Sequence, residues 1–298
     1  MYVKGGERIN YIEEYHNKIT SGEIVAGEKI KKVYAHIVDN LNDVNSRYYF
    51  DEKEAEKAIS FIESFCCIPK YKDGKQPFVL ELWQKALVSC LFGFKDRETE
   101  KRQYKELFLF VGRRNAKTII SAAIILYILL FSREAAQEVY SVATDRQQSK
   151  IIWEYCKQMI LTSKLLKKYF KIRVNEISVR SSFNKFVPLS KNSGSMDGLS
   201  PSIMALDELH AIKDRNLYDV VKGGMYSRAE PLTLIMSTGG YIEQDSIFDS
   251  KYQEYLSIID GYEDGKYTDE TVLPLLYELD SKTELNNEEA WIKANPNL

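Results

Sequence analysis

The sequence predicts an α/β protein, a mainly parallel sheet flanked by helices, with a helical region attached on its N-terminal side. Three observations predict it. Short apolar runs of β-character (Glu106–Val111, Glu138–Ala143, Ser202–Leu206, Leu232–Met236) alternate with segments of helical periodicity, the order of a parallel sheet with crossover helices. The first run leads through a polar loop into Lys117-Thr118 and a strongly apolar helical segment ending at Phe131. The third ends in two adjacent carboxylates, Asp207 and Glu208.

Strand, polar loop, Lys-Thr, helix is the order of a phosphate-binding loop. Backbone N–H groups at the helix start would face phosphates, and Arg113 and Arg114 add charge that the ordinary loop lacks. Lys117 would bring a point charge to the β/γ oxygens, and the Thr118 hydroxyl can ligate Mg²⁺. The spacing departs from G-x-x-x-x-G-K-[ST]: Val111 holds the first glycine position, with Gly112 one place later, and Ala116 holds the second. Alanine reaches positive φ less cheaply than glycine. By itself the loop can also be a basic turn before a core helix. The carboxylate pair decides between these readings. Asp207 is placed to hold the Mg²⁺ shell, and Glu208 to orient and deprotonate a water attacking the γ-phosphate.

Length and composition bound the rest. A chain of 298 residues has room for one large domain, or a domain with appendages. Its net charge of −2 gives a nucleic-acid partner no global support, so such a partner would need a local basic patch. Cys66, Cys67, Cys90 and Cys156 lack metal-ligand spacing and fit a reduced intracellular protein. The polar N-terminus shows no signal peptide, and the apolar run Ile119–Phe131 is too short for a bilayer. A soluble chain is expected, with no membrane partner.

In chain order, residues 1–70 read as helical and peripheral. Ile24–Asp43 and Asp51–Cys67 carry helical spacing, with Asp51 as an N-cap and a turn over Lys72–Lys75 closing the region. In Gln76–Gln84, Gln84 beside aromatic residues can read an adenine edge, or the stretch is a Trp-anchored helix start. A helix over Thr144–Ile160 follows the second strand. Arg173–Val179 and Phe183–Leu189 read as short strands or a hairpin, and the polar loop Ser190–Pro201 turns at Asp197-Gly198. Asn216–Tyr226 is a further helix. Ser237, Thr238, Gly239 and Gly240 sit at a strand tip, where small hydroxyl residues suit a γ-phosphate sensor; a Gly-Gly turn is the alternative. Ile247–Ile259 is helical, Gly261–Gly265 a turn and Thr271–Leu279 an edge strand, given Pro274; a short acidic helix comes last. The expected division is a helical region 1–70, a phosphate-loop ATPase domain 71–262 and a C-terminal extension 263–298.

PFVLELWQ at 77–84, VGRRNAKT at 111–118, ATDRQQS at 143–149, IMALDELH at 203–210 and MSTGG at 236–240 form an ordered set. With it the chain resembles the ATPase part of the large terminase subunit of tailed bacteriophages. WIKANPNL at 291–298 resembles the passage from ATPase to nuclease in that family. The resemblance implies a P-loop NTPase fold of the ASCE, RecA-like kind and an ATP-driven motor that packages double-stranded DNA into a procapsid. It implies Gln84 at the adenine, residues 112–117 around the phosphates, Thr118 and Asp207 on Mg²⁺, and Glu208 as the catalytic base. Ser237, Thr238 and Gly239 would couple hydrolysis to movement. Implied partners are the portal protein and small terminase subunit, and a homo-oligomeric ring forms on assembly, with a monomer expected in isolation. The implied location is the bacterial host's cytoplasm. Family members normally continue into a ribonuclease H-like nuclease, so DNA cleavage is not expected from these residues. An arginine acting in trans would be Arg146, Arg180, Arg215, Arg228 or none of these. Two rivals remain: a DExH-type helicase, spelled by Asp207-Glu208-Leu209-His210, and a nucleotide-binding interaction module that does not hydrolyse.

Overall fold

Residues 10–69, 76–190, 198–212, 215–239, 246–264 and 268–298 are described by the structure, a computed structural model. The turn expected at Lys72–Lys75, Asp197 of the Asp197-Gly198 pair, and Gly240 lie outside them. The chain opens with helices α1 (Tyr11–Thr20) and α2 (Glu28–Asn42), a short strand β1 (Tyr48–Phe50) and helix α3 (Glu52–Phe65). Asp51 caps α3 as its position predicts, accepting the Glu54 N–H at 3.3 Å. Helix α4 (Leu82–Gly93) runs into β2 (Phe94–Asp96), which pairs antiparallel with β1.

The main sheet begins at β3 (Glu106–Phe110), followed by α5 (Lys117–Phe131), β4 (Glu138–Ala143), α6 (Arg146–Thr162) and the one-turn α7 (Leu166–Tyr169). Strands β5 (Phe170–Ile172), β6 (Ile177–Val179), β7 (Lys185–Ser190) and β8 (Ile203–Asp207) come next. Then follow α8 (Arg215–Gly224), β9 (Leu232–Ser237), α9 (Ile247–Asp264) and β10 (Val272–Leu276). The strand order is β10-β3-β9-β8-β4-β7-β6-β5. From β10 to β7 all neighbours are parallel; β6 and β5 add an antiparallel edge. This is the mainly parallel sheet the alternation predicts. In register, β9 lies between β3 and β8, so the loops leaving all three open side by side at one edge of the sheet.

The strands of the sheet's middle are near-continuous apolar runs because helices cover both faces. Helix α5 is buried along most of its length, packed by α3 and α6, so its sequence is apolar all round rather than amphipathic. The N-terminal helices are less peripheral than their sequence suggests. Ile12, Ile30 and Tyr34 belong to the same buried cluster as the sheet, and α2 packs on α9 and β10.

Two expectations change at the C-terminal side. The turn expected at Gly261–Gly265 is helical as far as Asp264. Tertiary contacts override the glycine signal there: Tyr262 stacks on His36 with ring centroids 3.9 Å apart, and Lys32 pairs with Glu263 at 2.8 Å. The acidic segment is not an α-helix but two 3₁₀ turns, Lys282–Asn286 and Glu288–Lys293. The edge strand expected around Pro274 is present as β10, and through its pairing with β3 it makes the first part of the 263–298 stretch integral to the sheet.

At the opposite end of β3, Glu106 is 5% exposed and holds three groups. Lys222 Nζ lies at 2.6 Å, Lys251 Nζ at 2.8 Å and the Tyr255 hydroxyl at 2.7 Å. Lys222 also donates to the Thr233 hydroxyl on β9 at 2.7 Å, tying two sheet strands to α8 and α9.

Candidate functional site

The phosphate loop leaves β3 at Val111 and enters α5 at Lys117. Its backbone is partly left-handed: Arg114 has φ 69° and Ala116 φ 60°. A non-glycine residue held there costs about 1–2 kcal/mol, so the surroundings must impose the shape. Alanine at the second glycine position therefore adopts the conformation that glycine would reach without strain. Asn115, 2% exposed, braces the loop from inside by donating to the Gly112 carbonyl at 3.0 Å and the Arg113 carbonyl at 3.2 Å.

Lys117 turns back over the loop, its ammonium 3.3 Å from the carbonyls of Val111 and Gly112. Burial pushes its pKa down, while Glu208 and Asp207 oppose that shift. Thr118 donates to Asp207 Oδ2 at 3.1 Å, so the hydroxyl opening α5 meets the carboxylate closing β8. Asp207 is 8% exposed. Burial, then the charge of Glu208, push its pKa up to about 6. A buried carboxylate so poorly compensated, beside a hydroxyl, is a hard-oxygen donor pair suited to a small divalent cation.

A test follows from the sign of that shift. Between its ordinary value near 4 and about 6, the native state holds the Asp207 proton more tightly than the unfolded chain. Stability is therefore lost as pH rises through that window. In nucleotide-free protein with chelator, Asp207→Asn should be more stable than wild type at pH 8, by about 1–3 kcal/mol. The advantage should vanish near pH 4. Urea unfolding at the two pH values checks it; equal gains at both would refute the burial argument.

Glu208 follows β8 in a left-handed conformation, φ 60° and ψ 65°. Its N–H donates to the Met236 carbonyl at 2.8 Å, which fixes the turn to β9. One carboxylate oxygen accepts from the Thr238 N–H at 3.0 Å and from the Thr238 hydroxyl at 2.8 Å. The strand-tip segment Ser237-Thr238-Gly239 thus touches the carboxylate directly. His210 joins the same group, with Nδ1 3.4 Å from Glu208 Oε2 and 3.3 Å from Ser237 Oγ. His210 closes the Asp207-Glu208-Leu209-His210 run in the sequence, but only the fold, by bringing two strand ends together, sets it against Ser237.

Lys117, Thr118 and Glu208 face a pocket of about 530 Å³, whereas Asp207, Ser237, Thr238 and His210 are not part of its lining. Its walls include Gln84, Arg113, Arg114, Ala116, Lys117, Thr118 and Glu208, so residues expected at the adenine, phosphates and water share one cavity. Gln84 is 1% exposed, and its carboxamide oxygen accepts the Glu81 N–H at 3.1 Å at the start of α4. That leaves one lone pair of the oxygen for a base edge. Phe78, Val79 and Tyr155 supply apolar wall. Asn297, far along the sequence, lines the pocket as well, a site residue that the sequence motifs do not assign.

Of the arginines expected to act in trans, Arg228 is held by its own chain, donating to the Ser200 carbonyl at 2.7 Å and pairing with Glu134 at 3.3 Å. Arg215 pairs loosely with Asp219 at 3.8 Å. Arg146 and Arg180 are exposed; Arg146 starts α6 at the sheet edge that carries the pocket, whereas Arg180 follows β6 at the other edge.

Residues 82–257 match the family described as terminase large subunit, ATPase domain. The terminase large subunit of Enterobacteria phage HK97 is 26% identical over 250 residues, covering 82% of this chain and 46% of that protein. That of Lactococcus phage p2 is 19% identical over 288 residues, covering 95% of this chain and 52% of the relative. The crystal structure of the HK97 bacteriophage large terminase has the same fold, with a TM-score of 0.66 at 24% identity; the match covers 82% of this chain and 48% of that one. The chain spans about half the length of the curated relatives it matches.

Proposed function

Because the chain belongs to the family of terminase large-subunit ATPase domains, we propose that it binds and hydrolyses ATP in this pocket to drive double-stranded DNA into a procapsid. The observation that carries the reading is the joining of three strand ends. Thr118 lies on Asp207, Glu208 stands beside them, and Thr238 holds Glu208. Residues 112–117 wrap the phosphates and Lys117 neutralises their β/γ oxygens. Gln84 reads the adenine edge. Thr118 and Asp207 would hold Mg²⁺, which would supply charge neutralisation to the phosphates when bound. Glu208 orients the attacking water and takes its proton. The Thr238 bonds to Glu208 give Ser237-Thr238-Gly239 a direct means of sensing that step and passing it into β9.

The family match favours this motor over a DExH-type helicase and over a module that binds without hydrolysing. The proposed division is a helical region 1–70 and an ATPase domain beginning near 71, its sheet extended to include β10. DNA as a partner is supported by the local basic patch that a near-neutral chain requires. Lys164, Lys167, Lys168, Lys171, Arg173 and Arg180 are exposed around β5 and β6, with Glu176 the one acidic residue between them. Portal protein and small terminase subunit are the further proposed partners, in a homo-oligomeric ring in which a neighbour supplies the arginine. The host cytoplasm is the proposed location. No helix among the described residues is long and apolar enough to cross a membrane.

Phosphate release from ATP with Mg²⁺, measured at increasing protein concentration with and without double-stranded DNA, tests the proposal. Turnover per chain should rise with concentration, because the site is completed by a neighbour. Absence of turnover under every condition would overturn the hydrolysis reading. Turnover independent of concentration would overturn the ring.

A further inference from the structure

The segment Ala294–Asn297 lies far from the phosphate loop in sequence and directly on it in space. The Gly112 N–H donates to the Ala294 carbonyl at 2.8 Å. Asn115 Nδ2 donates to Asn295 Oδ1 at 3.2 Å, and the Asn297 N–H donates to Asn115 Oδ1 at 3.1 Å. Asn115 is thereby satisfied on both sides of its amide, half by its own loop and half by this segment. Asn297 then reaches the other wall of the pocket: its Oδ1 accepts the indole N–H of Trp83 at 2.7 Å. Trp83 is buried in α4 next to Gln84, with its ring centroid 5.2 Å from that of Tyr277 in an edge-on arrangement. Gly112 is where the segment needs room, because a Cβ there would stand 1.9 Å from Asn295 Oδ1 and 2.9 Å from the Ala294 carbonyl. A glycine at this position serves the docked segment, since its backbone is not left-handed.

We infer that Ala294–Asn297 is a working part of the nucleotide site: Asn297 is a positioning residue that spans the phosphate loop and the α4 wall, so that nucleotide occupancy and docking of this segment are coupled. The inference rests on the reading of the pocket as an ATP site. One side chain and its own N–H bridge the two walls, so the spacing between Gln84 and the loop is set from outside both. A loop with two left-handed residues depends on such bracing to keep its N–H groups aimed at phosphate. Coupling of this kind is reciprocal: a nucleotide that fixes the loop tightens the segment, and a loosened segment weakens the nucleotide. A segment packed only for stability would show neither effect.

Hydrogen exchange of the wild-type chain, with and without a non-hydrolysable ATP analogue and Mg²⁺, reads the first half. The amides of Gly112 and Asn297 should exchange at least several-fold more slowly with the analogue bound. Equilibrium binding of the same analogue to Asn297→Ala and to Trp83→Phe reads the second half. Either variant removes the bond to the α4 wall and should weaken binding by about tenfold, while Lys117, Thr118 and Glu208 are untouched. Analogue bound at wild-type affinity by both variants, or bound by wild type with exchange at Asn297 unchanged, overturns the inference and leaves the ATP site standing. Failure of wild type to bind the analogue overturns the ATP reading, and this one with it. The exchange measurement needs no variant, so a substitution that fails to fold does not blunt the test.

Discussion

Glu208→Gln is expected to lower ATP turnover by about 10²–10⁴-fold, the range for removal of a positioned general base. ATP affinity should stay within a few-fold of wild type. The geometry argues for both halves. Glutamine keeps an oxygen that can accept from the Thr238 N–H and hydroxyl, so the turn and its link to β9 survive. Lys117, Thr118 and Asp207 are untouched, and with them the contacts proposed for phosphate and cation. What is lost is the second basic oxygen, replaced by an amide that cannot take a proton from water. Single-turnover phosphate release beside binding of an ATP analogue separates the two effects. A normal rate in the variant would sink the assignment of Glu208, and lost binding would mean that the carboxylate serves the pocket's shape instead.

Glu106→Gln is expected to destabilise the protein by about 3–5 kcal/mol, the cost of breaking a buried ion pair from one side. Two ammonium groups, Lys222 and Lys251, converge on this carboxylate. Burial by itself would push its pKa up; Lys222 and Lys251 outweigh burial and hold it down at about 2. The sign of the linkage is that of a depressed carboxylate. Its contribution is fully present above the unfolded value near 4.5 and disappears as pH falls towards about 2. The gap between wild type and variant should therefore be widest near pH 7 and shrink below pH 4. Thermal melts across that range check it, with a fall of the order of 10 °C expected at neutral pH. A gap that does not change with pH would assign the loss to packing.

Much of the fold is legible in the sequence because each element is encoded locally. The apolar runs at β3, β4, β8 and β9, the cap at Asp51 and the Pro274 edge strand all carry their signal within a few residues. The site is legible to a lesser degree, through residues at strand ends whose spacing needs no tertiary information, such as Lys117-Thr118 and Asp207-Glu208. What could not be read depends on partners far along the chain. His210 acquires its contacts because β8 and β9 are neighbours, and strand order has no local signature. Glu106 looks like the polar start of a strand; its burial follows from α8 and α9 folding over it. Asn297 is 182 residues from Asn115. The helix that replaces the turn at Gly261 shows the reverse case, a correct local signal defeated by the stacking of Tyr262 on His36.

That long separation has a bearing on how the protein comes into being. A chain made from its amino end presents β3 early, but the strands on either side of it, β9 and β10, are made more than a hundred residues later. Contacts so distant in sequence close late, since the entropy of the intervening loop is lost before they form. Asn115 then waits for residues 295 and 297. The phosphate loop is synthesised well before the residues that finish it, and a nascent chain has no assembled pocket until Asn297 has emerged.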